Sequence, residues 1–210
     1  MTHFWPGFGE EPGEELLEDM LDFTLHGLDV VEALGLEKPH LVGFSLGGMI
    51  AAEMACIANA AFGKLALLAP LGLWLDAHPI PDLFATPPWE LPGLLFADPK
   101  VGEKLLLAGL DFSNDAALTA FMVGNARRLG SAGKILFPIP NRRLSKRLYR
   151  LHAETLLVWG RQDQLVPTVY AERWQQLVPR AQLRLIDGAG HMLPLEQPAA
   201  VAEAVASFLA

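Results

Sequence analysis

Leu36-Glu-Lys-Pro-His-Leu-Val-Gly-Phe-Ser-Leu-Gly-Gly48 passes from a strand pattern to a helix pattern with a serine at the junction. The run 40–43 is short and apolar, and Gly35 and Pro39 stop the segment before it. Residues 45–59, rich in Ala, Met and Ile, read as a buried helix. Between the two, Gly43-Phe44-Ser45-Leu46-Gly47 fits the pattern G-x-S-x-G. A serine hydroxyl is a poor nucleophile unless it is held exposed beside a base, and a tight strand-to-helix turn does the holding. Such a turn strains the backbone, so glycines two before and two after the serine are expected to relieve crowding. Gly48 adds room for close helix packing. An incidental serine in a glycine turn would show the same five residues; the strand before and the helix after favour a nucleophile.

Upstream, Leu17, Leu21, Leu25, Leu28, Val31 and Leu34 recur every three or four residues, which predicts one apolar face of a helix over residues 14–34. Downstream, residues 64–69 read as a second short buried strand, so strand, helix and strand follow in the order that gives parallel pairing. The middle, 71–151, has a different texture. Six prolines, from Pro79 to Pro99, break up short apolar segments and leave no room for long regular elements before Lys100. Helical spacing then returns at Val101, Leu105 and Ala108, and again at Leu118, Phe121, Met122 and Ala126. This region reads as a helical insertion between core segments 1–70 and 152–210. In the second core segment, strands at 154–159 and 182–186 each precede a helix, at 168–178 and at 198–209, the last with Val201, Val205 and Phe208 on one side.

A nucleophilic serine needs a base and an acid, and α/β sheets gather functional residues in loops at the carboxyl ends of strands. Asp163 lies just past one such strand, in Trp159-Gly-Arg-Gln-Asp163, and His191 just past the next, in Asp187-Gly-Ala-Gly-His191. His191 would take the Ser45 proton and return it to the leaving group, while Asp163 would hold the other ring nitrogen. The backbone N–H of Leu46, at the helix start, would be one donor to an oxyanion. Asp187 and Asp76 are the fallback acids, although Asp187 is too close to His191 in sequence to fold back easily. The remaining histidines, His3, His26, His40, His78 and His152, read as structural or solvent-facing, and no pair has metal-ligand spacing.

Composition bounds the rest. A 210-residue chain that is 51% hydrophobic can bury one sizeable core. A net charge of −8 argues against a phosphate-backbone partner. The single cysteine, Cys56, lies in an apolar helical stretch and cannot form an internal disulfide, which fits a reducing compartment. The first residues lack the basic start and apolar core of a signal peptide, and the longest apolar region, 49–75, is interrupted by Glu53, Lys64, glycines and prolines. A cytoplasmic protein without a transmembrane segment, metal or cofactor is the expectation.

Pro6-Gly-Phe-Gly9, the stretch 36–48, Leu156-Leu-Val-Trp-Gly-Arg-Gln-Asp163 and Gly188-Ala-Gly-His191 together resemble the α/β-hydrolase family of esterases, C–C hydrolases and haloperoxidases. The resemblance implies an α/β fold with a mostly parallel sheet, N-terminally truncated, and a helical lid over the pocket. In relatives three further strands and an oxyanion loop precede the Pro6–Gly9 motif, so the second oxyanion donor would be missing and activity weakened, by about 10²–10³ in turnover. A rival alignment lets a backbone N–H near Phe4 replace it. The shortened sheet would leave the strand at 41–43 as an apolar edge, which predicts a homodimer through that edge. The insertion offers Leu73, Trp74, Ile80, Leu83, Phe84, Trp89, Leu94 and Phe96 either as packing or as a wall for an apolar guest. Phe44, Trp74, Phe84, Trp89 and Met192 are the substrate-binding candidates. Arg142, Arg143, Lys146, Arg147 and Arg150 read as a solvated face or as a clamp for a substrate carboxylate. The expected function is hydrolysis of small to medium apolar acyl esters, the alternatives being C–C hydrolysis of a diketone-like acid or a catalytically impaired binding protein.

Overall fold

The computed structural model describes residues 5–8, 13, 15–87, 89–106, 113–137 and 143–210. Its centre is a parallel sheet of four strands in the order β1-β2-β3-β4: Leu41–Phe44, Leu65–Leu68, Thr155–Gly160 and Gln182–Ile186. Every residue of β2 and β3 is buried, as strands covered on both faces must be, which is why both read as unbroken apolar runs. Strand β1 pairs only with β2 among the described residues, and Val42 on it is 55% exposed.

Helices fill the connections. Before β1 comes α1, Met20–Ala33; between β1 and β2 comes α2, Leu46–Ile57. The spacing of leucines predicted the start of α1 six residues early. The capping box decides it: the Asp19 carboxylate accepts the N–H groups of Leu21 and Asp22, and the Asp22 carboxylate accepts the Asp19 N–H. The predicted face is covered only in part: Leu17 is buried and Leu28 and Val31 pack against the core, but Leu34 is exposed. Leu21 is 53% exposed and Leu25 is exposed too, whereas Phe23, Thr24 and Gly27 are buried. The reason is close approach to α2, since a Cβ on Gly27 would lie 2.6 Å from the Met54 sulfur. Among large side chains, the small residues mark the contact.

Between β2 and β3 lie α3 (Leu91–Leu95), α4 (Pro99–Leu106) and α5 (Asp115–Leu136), then two 3-10 turns at Leu144–Lys146 and Leu148–Arg150. Of the predicted helical spacings here, Leu118 and Phe121 are half-buried while Val101, Leu105, Met122 and Ala126 are exposed. Val101 and Leu105 point outward while Gly102 packs on the Phe96 ring, and on α5 Met122 and Val123 are exposed while Ser131 and Ile135 are buried. Ala108 lies outside the described residues. After β3 comes α6, Val169–Leu177, and after β4 come α7, Leu193–Glu196, and α8, Pro198–Leu209. No helix among the described residues is long and apolar enough to cross a membrane.

Candidate active site

Ser45, Asp163 and His191 sit past the carboxyl ends of β1, β3 and β4, so the parallel sheet delivers all three to one rim. Ser45 has φ 52° and ψ −115°, a conformation rarely adopted by an L-residue. It is held there by its own backbone: its N–H donates to the Leu68 carbonyl at 2.8 Å, and its carbonyl accepts Met49 N–H and Leu71 N–H, both at 3.1 Å. The glycines of the motif differ in their reasons. A Cβ on Gly43 would lie 2.5 Å from the Gly47 carbonyl oxygen and one on Gly48 2.9 Å from Pro70, so both are required by space. One on Gly47 would meet nothing within 4 Å, so the expected relief of crowding applies to Gly43 and not to Gly47.

His191 Nε2 lies 2.8 Å from Ser45 Oγ, and His191 Nδ1 lies 2.9 Å from Asp163 Oδ2. Both residues are buried, with side chains 3% and 0% exposed. The other Asp163 oxygen accepts Leu165 N–H at 3.0 Å and Val166 N–H at 2.8 Å, which fixes the carboxylate plane. Hydroxyl, imidazole and carboxylate thus form an unbroken chain in which the ring can accept a proton at Nε2 while the carboxylate compensates the charge at Nδ1. The Leu46 N–H stands in the first turn of α2, where a helix has no internal acceptor to offer it.

The fallback acids are elsewhere: Asp187 pairs with Arg161, and Asp76 accepts from the Trp74 indole at 2.9 Å. His40 Nδ1 accepts the Lys64 N–H, the His78 carbonyl accepts the Tyr170 hydroxyl, His26 packs on Trp5 and His152 is exposed. His3, Phe4, Gly9 and Arg142 lie outside the described residues. No metal-binding cluster occurs among the described residues. Of the described part of the basic run, Arg143 and Lys146 are exposed, as in a solvated face, whereas Arg147 and Arg150 are turned to α2. Arg147 grips the buried Glu53 through two nitrogens, which raises the pKa of the guanidinium, and Arg150 donates to the Cys56 carbonyl at 2.6 Å, so both fasten the 3-10 turns to α2.

A small apolar cavity is lined by Met49, Leu71, Trp74, Ile80, Phe84 and Leu165 among other apolar groups, and Met49 and Leu71 of its wall donate their N–H groups to the Ser45 carbonyl. Its wall is tied to α6 by Tyr170, whose hydroxyl donates to the His78 carbonyl and accepts the Leu75 N–H; burial raises the pKa of that phenol. Of the predicted substrate-facing residues, Trp74 and Phe84 line this cavity. Phe44 packs on the His191 ring at 5.2 Å between centroids, and Met192 donates its N–H to the Leu95 carbonyl. Trp89 does not line it: at 78% exposure it is on the surface, because it precedes α3 in a turn directed away from the core.

Sequence reasoning missed two residues that hold the histidine loop. The Gln162 carbonyl oxygen of the side chain accepts Ala189 N–H at 3.1 Å, and Glu196 accepts Gly190 N–H at 2.7 Å and Ala97 N–H at 2.7 Å. No local pattern marks Glu196, whose second partner is 99 positions away in the chain.

The model of the alpha/beta hydrolase family matches residues 5–204. A 2-hydroxy-6-oxononadienedioate/2-hydroxy-6-oxononatrienedioate hydrolase of Comamonas testosteroni is 30% identical over 86% of this chain and 66% of its own length. The carboxylesterase YbfK of Bacillus subtilis (strain 168) is 28% identical over 92% of this chain and 64% of its own. The chain therefore spans about two thirds of the length of the curated relatives it matches. Among solved structures, a meta-cleavage product hydrolase from Pseudomonas fluorescens IP01 superposes with a TM-score of 0.74 at 24% identity, covering 97% of this chain and 76% of that one. That likeness shows the fold.

Proposed function

We propose, from the premise that the chain belongs to the α/β-hydrolase family, that it is a serine hydrolase cleaving esters with small to medium apolar acyl groups. The observation that carries this is the chain Ser45 Oγ, His191, Asp163, with links of 2.8 and 2.9 Å. Ser45 attacks the acyl carbon as His191 takes its proton. The oxyanion is met by the Leu46 N–H, and the imidazolium then gives the proton to the leaving alcohol. Water, deprotonated by His191, attacks the acyl-enzyme and releases the acid. The oxyanion position, the nucleophile and the base all lie at one rim, so no cofactor is required by this chemistry.

The acyl preference rests on the apolar character of the side chains beside the serine turn. A wall of Met49, Leu71, Trp74, Ile80 and Phe84 stabilises an uncharged chain by excluding water and offers a carboxylate no partner. A C–C hydrolase acting on a diketone-like acid would need a cation there, and Arg147 and Arg150 are engaged against α2. That second reading is favoured by one observation, the 30% identity to a hydrolase of such acids. A third, binding without turnover, predicts no reactive serine. The test is hydrolysis of a series of p-nitrophenyl esters by the parent and by Ser45→Ala, with fluorophosphonate labelling of both. The expected outcome is a loss of at least ~10³-fold on Ser45→Ala and one label per parent chain. Equal rates in the two proteins would remove the ester reading, and turnover of a dienoic diketone acid without ester turnover would replace it with the C–C reading.

Among the described residues β1 pairs only with β2 and leaves Val42 exposed, which supports self-association through that strand, since an unpaired row of N–H and C=O groups is a template for a second copy. Light scattering is expected to give twice the chain mass at micromolar concentration, and Val42→Lys to return it to one. A monodisperse monomer of the parent chain would contradict this.

A further inference from the structure

The loop that carries His191 is held from outside the sheet by the helix pair α3–α4. Glu196, at the end of α7, sends one carboxylate oxygen to the Gly190 N–H and the other to the Ala97 N–H, both at 2.7 Å. Beside them the Met192 N–H donates to the Leu95 carbonyl at 2.9 Å. The two backbones are pressed together, for a Cβ on Gly190 would lie 2.7 Å from the Ala97 nitrogen and 2.8 Å from the Phe96 carbonyl carbon. Phe96 is buried, and Gly102 of α4 packs directly on its ring. Segment 95–97 is therefore joined on one side to the residues flanking the imidazole and on the other to α3 and α4.

We propose that Glu196 is a positioning residue, a carboxylate clasp that couples the placement of α3–α4 to the placement of His191, so that the base is in reach of Ser45 only while those helices are seated. A carboxylate suits this role because it can accept from both N–H groups at once, whereas a glutamine presents one acceptor and one donor to two donors. The proposal rests on the hydrolase reading for its catalytic consequence and on backbone geometry for the coupling itself. A shift of an ångström in the base is enough to lower turnover without touching substrate affinity.

Two isolated changes test it. Glu196→Gln is isosteric, and Ala97→Pro removes one N–H at a position whose predecessor, Phe96, already has φ −120° and ψ 148°, the backbone a residue before proline adopts. On a p-nitrophenyl ester each is expected to lower kcat by ~10-fold or more with KM within about twofold. The double variant is expected to be no worse than the poorer single one. Glu196→Asp, which keeps the charge, is expected to recover part of the loss. Hydrogen exchange should speed up in Glu196→Gln across both 93–98 and 187–192. Unchanged kcat in Glu196→Gln, with Ser45→Ala inactive, overturns the clasp and leaves the hydrolase reading standing. If the parent itself turns over no ester, the exchange measurement decides: faster exchange in both segments supports the coupling, and faster exchange in 187–192 alone overturns it.

Discussion

Ser45 and Asp163 show how single residues are held in place by the bonds of their neighbours. The strained backbone of Ser45 is bridged to β2 and to Leu71, so the turn cannot relax without breaking sheet-end hydrogen bonds. Asp163 is fixed in two directions, with Leu165 and Val166 on one oxygen and His191 on the other. In Asp163→Asn the amide oxygen is expected to keep the two backbone N–H groups and turn its nitrogen to His191. That nitrogen donates where an acceptor is needed, forcing the wrong ring tautomer. Turnover of the ester substrate is expected to fall by about 10³–10⁴ with little change in thermal midpoint. The identity of Ser45 and of its two partners was legible in the sequence, because the motif and the loops after two strands are local patterns. The half-buried placement of Trp74 and Phe84 in the cavity wall, as against the exposure of Trp89, was not legible, since all three are aromatic residues in one proline-rich stretch.

At the level of elements, the contrast between strands and helices is instructive. The boundaries of β4 and α8 match the apolar pattern to the residue, and β1 to β3 match within two, because short buried strands announce themselves by composition. The helices α1, α4 and α5 do not, for periodic leucines describe a face without saying which face is covered. On α1 the covered face is the one with Thr24 and Gly27, where the backbone can approach α2. The cap at Asp19 is what begins that helix, so Asp19→Ala is expected to cost about 1 kcal/mol. A drop of about 2–4 °C in thermal midpoint, read by circular dichroism, is the corresponding shift for a chain of this size. No change would mean that α1 is held by packing on α2 alone.

For the molecule as a whole, the core brings an ionisable thiol into an apolar interior. Cys56 on α2 is buried, and desolvation, with the nearby Glu53 charge, pushes its pKa up to about 12. Below pH 9 folded and unfolded chains both keep the thiol proton, so stability does not depend on it. Above pH 9 the unfolded chain ionises first, unfolding releases a proton, and stability falls as pH rises towards 12. The urea midpoint of the parent is expected to drop between pH 8 and 10.5 by the equivalent of about 2 kcal/mol more than that of Cys56→Ser. Native protein should also leave this thiol unlabelled by a thiol reagent until it is denatured. What the sequence determined alone is whatever depends on neighbours in the chain: the parallel α/β order, the strained serine turn and the two loops that bear its partners. Only the tertiary structure decided which helix faces are covered, that Arg147 and Arg150 serve α2, and that Glu196 reaches Ala97. Those outcomes depend on which surfaces meet, and contact between distant segments is set by the packing of the whole chain, not by any local spacing.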